Sequence, residues 1–531
     1  LAKDFRDGGG VDVGTRYTDL EILSMARLDS APTVGDGIEI ENATGQELGW
    51  YGHVIGYAAE NGAIVHFDPF VPMARNGGAG TAIIGATGGG KSTLALCLFF
   101  WLSESGVQTV VLDPKNDFEK FVHYIAFGPQ VLEDGFAEAA AAGTLGLPDS
   151  PFQPINRQFW DDTKVVSLTT GKSGSMEPWL LTDDFEEGEA LARQQIDHLF
   201  SDLSPQDPRR NSIELAFTKL RETYKQGVAD DPNYPLPRLS QLADQIADDI
   251  EYYSGVLDKH AEKIDAKQAR DQLITLRKRL ERAETQPYAR LLFGHSDVDE
   301  GSMIRGFTHR RTVITMIGFN PPKSQEEAAV NESARAASAA MFTVLWQVER
   351  VFSAAGISIS PHRRKKDTRP RALFVDEAYM ITAFAAGASL LNRALRQGRS
   401  LYFAVIIISQ QAKDINRIEE AQSSGDEADK NQFSTVFVFQ QKGNAEAQAA
   451  LKLLRSSTSL DDEDSAMLSH RLLKQRAGGS LSTGVCVMKD ADERVATAHI
   501  DSLFDELFRA CQTNATQRAL SLIHISEPTR R

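Results

Sequence analysis

Short apolar runs alternate with longer, more polar segments along much of the chain. The polar segments are long enough for helices, so the pattern predicts a parallel sheet flanked by helices. A helix is predicted over residues 92–101, directly after the first of these runs. The predicted strands are residues 81–84, 108–112, 165–168, 312–317, 372–375, 401–408, 435–439 and 484–488.

The stretch between about residues 186 and 290 is different, because it is charged and nearly lacks strand-like runs. Leu191, Ile196 and Leu199 fall roughly on one helical face, which predicts amphipathic helices. Residues 265–284 alternate in charge sign, which is typical of a solvated helix face rather than of a binding stripe. We therefore predict a discontinuous α/β domain that is interrupted by an all-helical insertion.

A β-hairpin is predicted ahead of this sheet. Two short apolar runs at residues 54–57 and 63–67 flank Asn61 and Gly62. Asn-Gly between such runs is a strong hairpin signal, because both residues tolerate the positive φ of a tight turn. The chain before residue 52 is acidic, with weak periodicity.

Length, composition and net charge limit the classes of protein to which the chain can belong. A chain of 531 residues exceeds what one hydrophobic core supports, so about two to four domains are expected. Apolar residues make up 42% and charged residues 24%, which is typical of globular proteins. The net charge of −16 disfavours a whole-surface electrostatic grip on nucleic acid. The most basic patch, residues 361–371, is either a solvated loop or a contact for DNA, acidic lipid or a partner.

Three cysteines stand far apart with no CxxC pair, which argues against a disulfide scaffold or a cysteine zinc site and favours a reducing compartment. The longest apolar runs, 94–102 and 403–408, are shorter than the ~18–20 residues of a membrane span. The chain begins with Leu1, so its start is expected to be missing. Residues 520–530 resemble a translated sequencing adapter, with a natural tail as the alternative.

A phosphate-binding loop is predicted at residues 85–92, which read GATGGGKS and fit GxxxxGK followed by Ser or Thr. Glycine permits the unusual φ values with which consecutive N–H groups surround a phosphate. Lys91 would supply a cation to the β- and γ-phosphates, and Ser92 a hydroxyl ligand for Mg²⁺. The alternative is a glycine turn beside a surface lysine, but the motif follows a predicted strand and opens a predicted helix. The predicted nucleotide-binding residues are Gly85, Ala86, Thr87, Gly88, Gly89, Gly90, Lys91, Ser92 and Thr93.

Two carboxylates, Asp376 and Glu377, end the apolar strand over 372–375. A strand with this ending is common by itself. Together with the phosphate-binding loop, it predicts that Asp376 and Ser92 hold Mg²⁺. Glu377 would then orient or polarise the attacking water as the catalytic carboxylate.

Further candidates flank the strand over 401–408. Gln410 follows the strand and can reach the γ-phosphate, whereas Arg399 precedes it, at the opposite end. One chain cannot easily place both in one site, which favours Arg399 as an arginine finger for a neighbouring subunit. Arg396 is a second candidate finger, and helix solvation or salt bridges are the alternative for both arginines. Asp113, at the end of the second strand, either supports the metal site or forms a structural turn.

These motifs together resemble the ATPases of conjugative transfer and type IV secretion (TraC-like), in the FtsK–HerA division of P-loop motor ATPases. Two departures are mild: Gly-Gly-Gly precedes Lys91 where Ser-Gly-Gly or Ser-Gly is usual, and Ser409-Gln410 replaces Thr-Gln. The family's large N-terminal domain is mostly absent from this sequence. The stretches that carry the resemblance are residues 82–93, 110–117, 371–380, 396–411 and 484–487.

The resemblance implies an ATP-hydrolysing motor that drives pilus assembly or substrate export, with ATP and Mg²⁺ as cofactors. It implies a homo-hexamer at the cytoplasmic, inner face of the membrane, bound to channel components, with DNA as a further candidate partner. It also implies a RecA-like core around the helical insertion. The predicted divisions are 1–75, an N-terminal remnant with the hairpin; 76–185 and 301–510, the two parts of the core; 186–300, the insertion; and 511–531, a tail.

Two other functions remain open. A DNA-pumping translocase or coupling protein of the same superfamily is one, although the net charge of −16 and the lack of a membrane span within residues 1–80 weigh against it. A nucleotide-gated scaffold without turnover is the other, and the intact Glu377 argues against that.

Overall fold

The computed structural model describes most of the chain from Gly52 to Gln512. The N-terminal 51 residues, Asn61 of the predicted turn, residues 361–369 of the basic patch and the predicted adapter stretch 520–530 lie outside the described residues. The described residues are 52–58, 62, 64–74, 77–168, 174–182, 184–204, 206–259, 264–293, 307–318, 327, 330–354, 370–382, 385–420, 432–441, 444–454, 484–491 and 493–512.

An eleven-stranded sheet forms the centre of the described part, and its apolar strands are almost wholly buried. The strand order is β2-β1-β11-β10-β9-β3-β8-β7-β4-β6-β5. From β9 to β5 all neighbours are parallel, and from β9 to β2 they are antiparallel. The strands are β1 His53–Ala58, β2 Ile64–Phe67, β3 Gly80–Ile84, β4 Gln108–Asp113, β5 Thr163–Ser167, β6 Arg311–Thr315, β7 Arg371–Val375, β8 Phe403–Ser409, β9 Phe433–Phe439, β10 Val485–Lys489 and β11 Val495–Ile500.

Helices connect the parallel strands and cover both faces of the sheet, as strand crossovers require. Side-chain caps fix several helix starts: Asp184 accepts the N–H of Glu187 at 2.8 Å, and Asp207 accepts that of Arg209 at 2.9 Å. The helices are α1 Val71–Ala74, α2 Lys91–Glu104, α3 Asp117–Phe127, α4 Phe136–Ala141, α5 Arg157–Asp161, α6 Pro178–Leu181, α7 Phe185–Leu199, α8 Pro208–Asp230, α9 Gln241–Lys259, α10 Ile264–Thr285, α11 Glu332–Ala354, α12 Tyr379–Thr382, α13 Ala385–Leu401, α14 Ala412–Glu420, α15 Asn444–Leu454 and α16 Asp505–Cys511. Short 3₁₀ helices lie at Gly128–Leu132 and Ala289–Leu291.

Two hydrophobic cores lie on opposite faces of the sheet, because successive strand residues point to opposite sides. Ala82 and Ile84 of β3 belong to one core, whereas Ile83 belongs to the other. The first core also contains the apolar faces of α7, α8 and α10, and the second contains α2, α3 and α16. The long helices therefore share a core with the sheet rather than standing apart from it.

Two sequence predictions need correction. The strand predicted from residue 401 begins at Phe403, because α13 continues to Leu401 and Tyr402 turns the chain with a φ of 56°. Arg371, the last residue of the predicted basic patch, is buried at the start of β7 and donates from Nε to Gln108 Oε1 at 3.0 Å. Arg371 is therefore not an exposed contact for DNA or lipid.

Candidate functional site

Four neighbouring parallel strands bring the predicted motifs to one edge of the sheet. The order β3-β8-β7-β4 places their carboxyl ends side by side. The phosphate-binding loop follows β3, Gln410 follows β8, and Asp376 follows β7. Ligands of open α/β sheets bind at this edge, where strand ends leave a crevice. The topology therefore brings together residues from motifs that are more than 300 positions apart.

The phosphate-binding loop is tied to the neighbouring strand ends at its base and is exposed at its tip. The N–H of Gly85 donates to the Ser409 carbonyl at 3.1 Å, and that of Ala86 to the Gln440 carbonyl at 2.7 Å. Thr87 and Gly88 form the exposed tip, and Gly88 has a φ of 85°. The loop is thus anchored at its base while its turn faces outward, as phosphate binding requires.

The start of β10 braces the end of this loop. The N–H of Gly484 donates to the Gly89 carbonyl at 3.1 Å. Gly90 has a φ of 107°, and a Cβ on it would lie 2.8 Å from the Gly484 nitrogen. Only glycine satisfies both the left-handed conformation and this close approach at position 90.

Lys91 and Asp376 are both buried, and their opposite charges interact. Lys91 is 3% exposed and Asp376 is 4% exposed. Burial lowers the pKa of Lys91, and the charges of Asp376 and Asp117 oppose that effect. Burial raises the pKa of Asp376 to about 6, although Lys115 and Lys91 favour its charged form. Both groups are thus poorly solvated, and a phosphate or a cation between them would replace lost hydration.

Glu377 is held by contacts to one of its two carboxylate oxygens. Its backbone is left-handed, with a φ of 50°, and the residue is 1% exposed. Oε1 contacts the Lys115 ammonium and accepts a hydrogen bond from Gln410 Nε2 at 2.9 Å. Oε2 is buried and has no hydrogen-bond partner among the described residues. One oxygen is therefore fixed and the other is left as an acceptor.

Lys115 is the residue of this cluster to which the sequence assigned no role. It lies just beyond β4, and burial and the nearby Lys91 lower its pKa. Its Asp-Pro-Lys setting at the end of a predicted strand is the signal that could have identified it, because β4 lies directly beside β7.

Asp113 forms a turn contact. Its two carboxylate oxygens accept the N–H groups of Asp117, at 3.0 Å, and Glu119, at 2.9 Å. Burial raises the pKa of Asp113 to about 8, and these two N–H groups act against the rise. The contacts match the structural alternative, because both oxygens hold the first turn of α3.

The candidate arginine fingers lie away from this cluster. Arg399 and Arg396 are exposed near the end of α13, ahead of β8. Gln410 follows the other end of β8, so this chain does not bring Arg399 and Gln410 together. Ser92 and Thr93 lie half-buried in the first turn of α2.

The described residues contain neither a membrane-spanning helix nor a cluster of acidic, histidine and cysteine metal ligands. Among them, no helix combines the length and apolarity needed to cross a membrane. Within the same part of the chain, no group of three or more His, Cys, Asp or Glu side chains is placed to hold a metal ion.

Comparison with known proteins supports the fold. A family model described as "AAA-like domain" matches residues 72–232 and 255–511. The structure of VirB4 of Thermoanaerobacter pseudethanolicus is 15% identical, with a TM-score of 0.50 over 85% of this chain and 96% of that chain. This likeness confirms the predicted RecA-like α/β core with its mostly parallel sheet.

Two structures of the bacterial conjugative coupling protein TrwB are also similar. The unbound form and the complex with ADP and Mg²⁺ are each 15% identical, with TM-scores of 0.42. These matches cover 89% of this chain and 93% and 94% of those chains. No curated protein matches the sequence.

Proposed function

The chain belongs to the family of AAA-like domains, which confirms the predicted class of P-loop ATPase, and we propose that it hydrolyses ATP to drive conjugative transfer or type IV secretion. The order of the motifs read from the sequence and the fold shared with VirB4 support this proposal. The observation that carries it is the setting of Glu377 beside the phosphate-binding loop, with one oxygen held and the other unpartnered.

The residues at the sheet edge fit an Mg²⁺ ion bound together with a nucleotide. Mg²⁺ usually takes only one or two protein carboxylates and completes its shell with phosphates and water. Asp376 supplies a carboxylate that is 4% exposed, and Ser92 supplies a hydroxyl in the first turn of α2. When bound, the ion would neutralise negative charge on the β- and γ-phosphates.

Each side chain of the cluster has a distinct task in this proposal. Lys91 binds the phosphates, and the start of α2 adds its backbone N–H groups. Glu377 orients the attacking water through its unpartnered Oε2. Gln410 and Lys115 keep the Glu377 carboxylate in place through Oε1. The hydrogen bond from Gln410 to this carboxylate supports a positioning role for Gln410, beside its predicted reach to the γ-phosphate.

We further propose a homo-hexamer that works at the inner face of the membrane with channel components. Arg399 would complete the site of a neighbouring subunit, because it lies at the opposite end of β8 from Gln410. The two core segments, 76–185 and 301–510, would form the motor, with the helical insertion 186–300 between them.

The first test is ATP turnover and nucleotide binding by wild type, Lys91→Ala and Glu377→Gln. Lys91→Ala should lose binding or turnover, and Glu377→Gln should bind ATP while turnover falls by about 100-fold or more. Lys413→Ala, which removes an exposed lysine on α14, is the control and should keep wild-type values. Normal turnover in Lys91→Ala would overturn the assignment of the site.

The same assay with double-stranded DNA separates two kinds of motor. Turnover that does not change with DNA supports the secretion ATPase. Strong stimulation by DNA supports a translocase instead. A scaffold without turnover would assemble equally well with Glu377→Gln, and wild type would show no ATPase activity.

A further inference from the structure

Two cysteines from distant parts of the chain meet beneath the phosphate-binding helix. Cys97 lies in α2, and Cys511 is the last residue of α16. They are 414 positions apart, yet their Sγ atoms lie 3.7 Å from each other. Cys97 is 2% exposed and Cys511 is 6% exposed. Neither thiol takes part in the nucleotide chemistry proposed above.

The contact belongs to the packing of α16 on α2. Cys511 Sγ also donates to the Thr93 carbonyl at 3.9 Å, in the first turn of α2. Leu507 and Ala510 bury the same side of α16, whereas Phe508 is 50% exposed. The C-terminal helix is therefore held by one narrow face, and the pair of thiols lies within that face.

The geometry is close to that of a disulfide. A disulfide has an S–S distance of about 2.05 Å, so the sulfurs must approach by about 1.6 Å from their present 3.7 Å. The helix has only two turns, and local opening at its end would expose Cys511 without unfolding the sheet. Access is therefore possible even though both thiols are buried in the closed form.

We propose that Cys97 and Cys511 form a reversible disulfide that fastens α16 to the phosphate-binding helix under oxidising conditions. The oxidant is a small disulfide such as glutathione disulfide. The Cys511 thiolate attacks one of its sulfurs and releases one glutathione thiolate; the Cys97 thiolate then displaces the second glutathione. Two protein thiols are oxidised, one glutathione disulfide is reduced to two thiols, and the two protons pass to these through water.

The test uses the full chain in its folded state. The protein is incubated with glutathione disulfide, the remaining thiols are alkylated, and the digest is analysed without reductant by mass spectrometry. A peptide that links Cys97 to Cys511 should form within one chain, and Cys486 should be alkylated once the protein is denatured. The oxidised protein should melt about 5 °C higher than the reduced one, and dithiothreitol should reverse the shift.

Matched variants complete the test. Cys486→Ser removes the third buried cysteine, in β10, and should keep both the link and the shift. Cys511→Ser and Cys97→Ala should each abolish both. A link that forms only after denaturant is added, or glutathione bound to Cys511 with no link to Cys97, would overturn the proposal. These results are independent of ATP turnover, so they hold or fail separately from the proposed function.

Discussion

Two side-chain contacts to one oxygen fix the orientation of the Glu377 carboxylate. Its left-handed backbone places the carboxylate between the ends of β8 and β4, where Gln410 and Lys115 share one oxygen. A carboxylate with one oxygen held and one unpartnered has a fixed direction, which a base that orients water needs. The partly exposed side chain of Lys115 brings its ammonium to the same oxygen that Gln410 contacts, so two groups hold Oε1.

Replacement of Lys115 tests that role. We expect Lys115→Met to reduce kcat by about 10- to 100-fold with little change in KM for ATP, because Glu377 loses its cation while the phosphate-binding loop stays intact. Lys115→Arg should recover part of the loss. The control is Lys120→Met, which removes an exposed lysine of α3. A wild-type kcat in Lys115→Met would contradict the role.

The buried carboxyl of Asp68, which is not part of the proposed nucleotide site, should make the stability of the fold depend on pH. Burial raises its pKa to about 7 from the ordinary 3.8, and its Oδ2 has no hydrogen-bond partner within the described part of the chain. The folded state therefore favours the protonated form, and stability is lost as the pH rises from the unfolded pKa through the folded one. Between pH 5 and pH 7 the carboxyl is charged in the unfolded state and still protonated in the folded state. Over these two pH units the free energy of unfolding falls by roughly 2–3 kcal/mol.

Asp68→Asn should remove this loss, because the amide stays neutral and can still accept the Phe70 N–H that Oδ1 now accepts at 2.8 Å. Its melting temperature should rise relative to wild type between pH 5 and pH 8. Asp501→Asn is the control, because Asp501 accepts the N–H of Leu503 in the same pattern but is exposed. Equal pH trends in all three proteins would contradict the prediction.

At this scale, the sequence predicts residues whose chemistry depends on local motifs and misses those that depend on tertiary contacts. Lys91, Asp376 and Glu377 follow from motif spacing, and Gln410 from its place at a strand end. The contact of Lys115 with Glu377 exists only because β4 and β7 are neighbours, which no local pattern reveals. The meeting of Cys97 and Cys511 is hidden for the same reason.

The shape of the phosphate-binding loop depends on contacts with the start of β10, which comes almost 400 residues later in the chain. Gly90 packs against Gly484, and the Gly484 carbonyl in turn accepts the Ile500 N–H at 2.7 Å. The antiparallel part of the sheet thus supports the loop of the parallel part. Secondary elements outside the nucleotide motifs therefore help to set the shape of the loop.

Two alanine substitutions in this loop separate the cost of a positive φ from the cost of a steric clash. Gly88 and Gly90 both have positive φ, but a Cβ meets nothing within 4 Å at Gly88 and meets Gly484 at Gly90. Gly88→Ala should lower the free energy of unfolding by about 1 kcal/mol, and Gly90→Ala by about 1–3 kcal/mol more. Denaturant titration measures both, and equal losses would contradict the brace.

Elements were predictable where one pattern dominates. The buried parallel strands are continuous apolar runs, and all eight predicted strands are present in the described chain. The helix α11 was not predicted, and most of its described side chains are buried, including the polar Arg335 and Ser338. The strand β11 was not predicted, because its Val-Ala-Thr-Ala-His-Ile sequence is short and only partly buried.

For the whole molecule, the sheet edge shows why the proposed site would need a second subunit to be complete. Lys91, Asp376, Glu377 and Gln410 come together at the carboxyl ends of the strands. The exposed Arg399 lies beyond the opposite end of β8. A ring offers a simple solution, because the arginine of one subunit can then face the nucleotide of the next.

Complementation between subunits tests this arrangement. Arg399→Ala should keep nucleotide binding and lose turnover by about 1,000-fold. Arg396→Ala, one turn earlier on α13, tests the second candidate finger and should keep most activity if Arg399 is the finger. Mixed with Glu377→Gln at equal ratio, Arg399→Ala should recover about a quarter of wild-type turnover per site. One site in two keeps Glu377, and one neighbour in two supplies Arg399. Each inactive variant supplies what the other lacks only across a subunit interface. If no mixing ratio restored turnover, Arg399 would not act in the site of the neighbouring subunit.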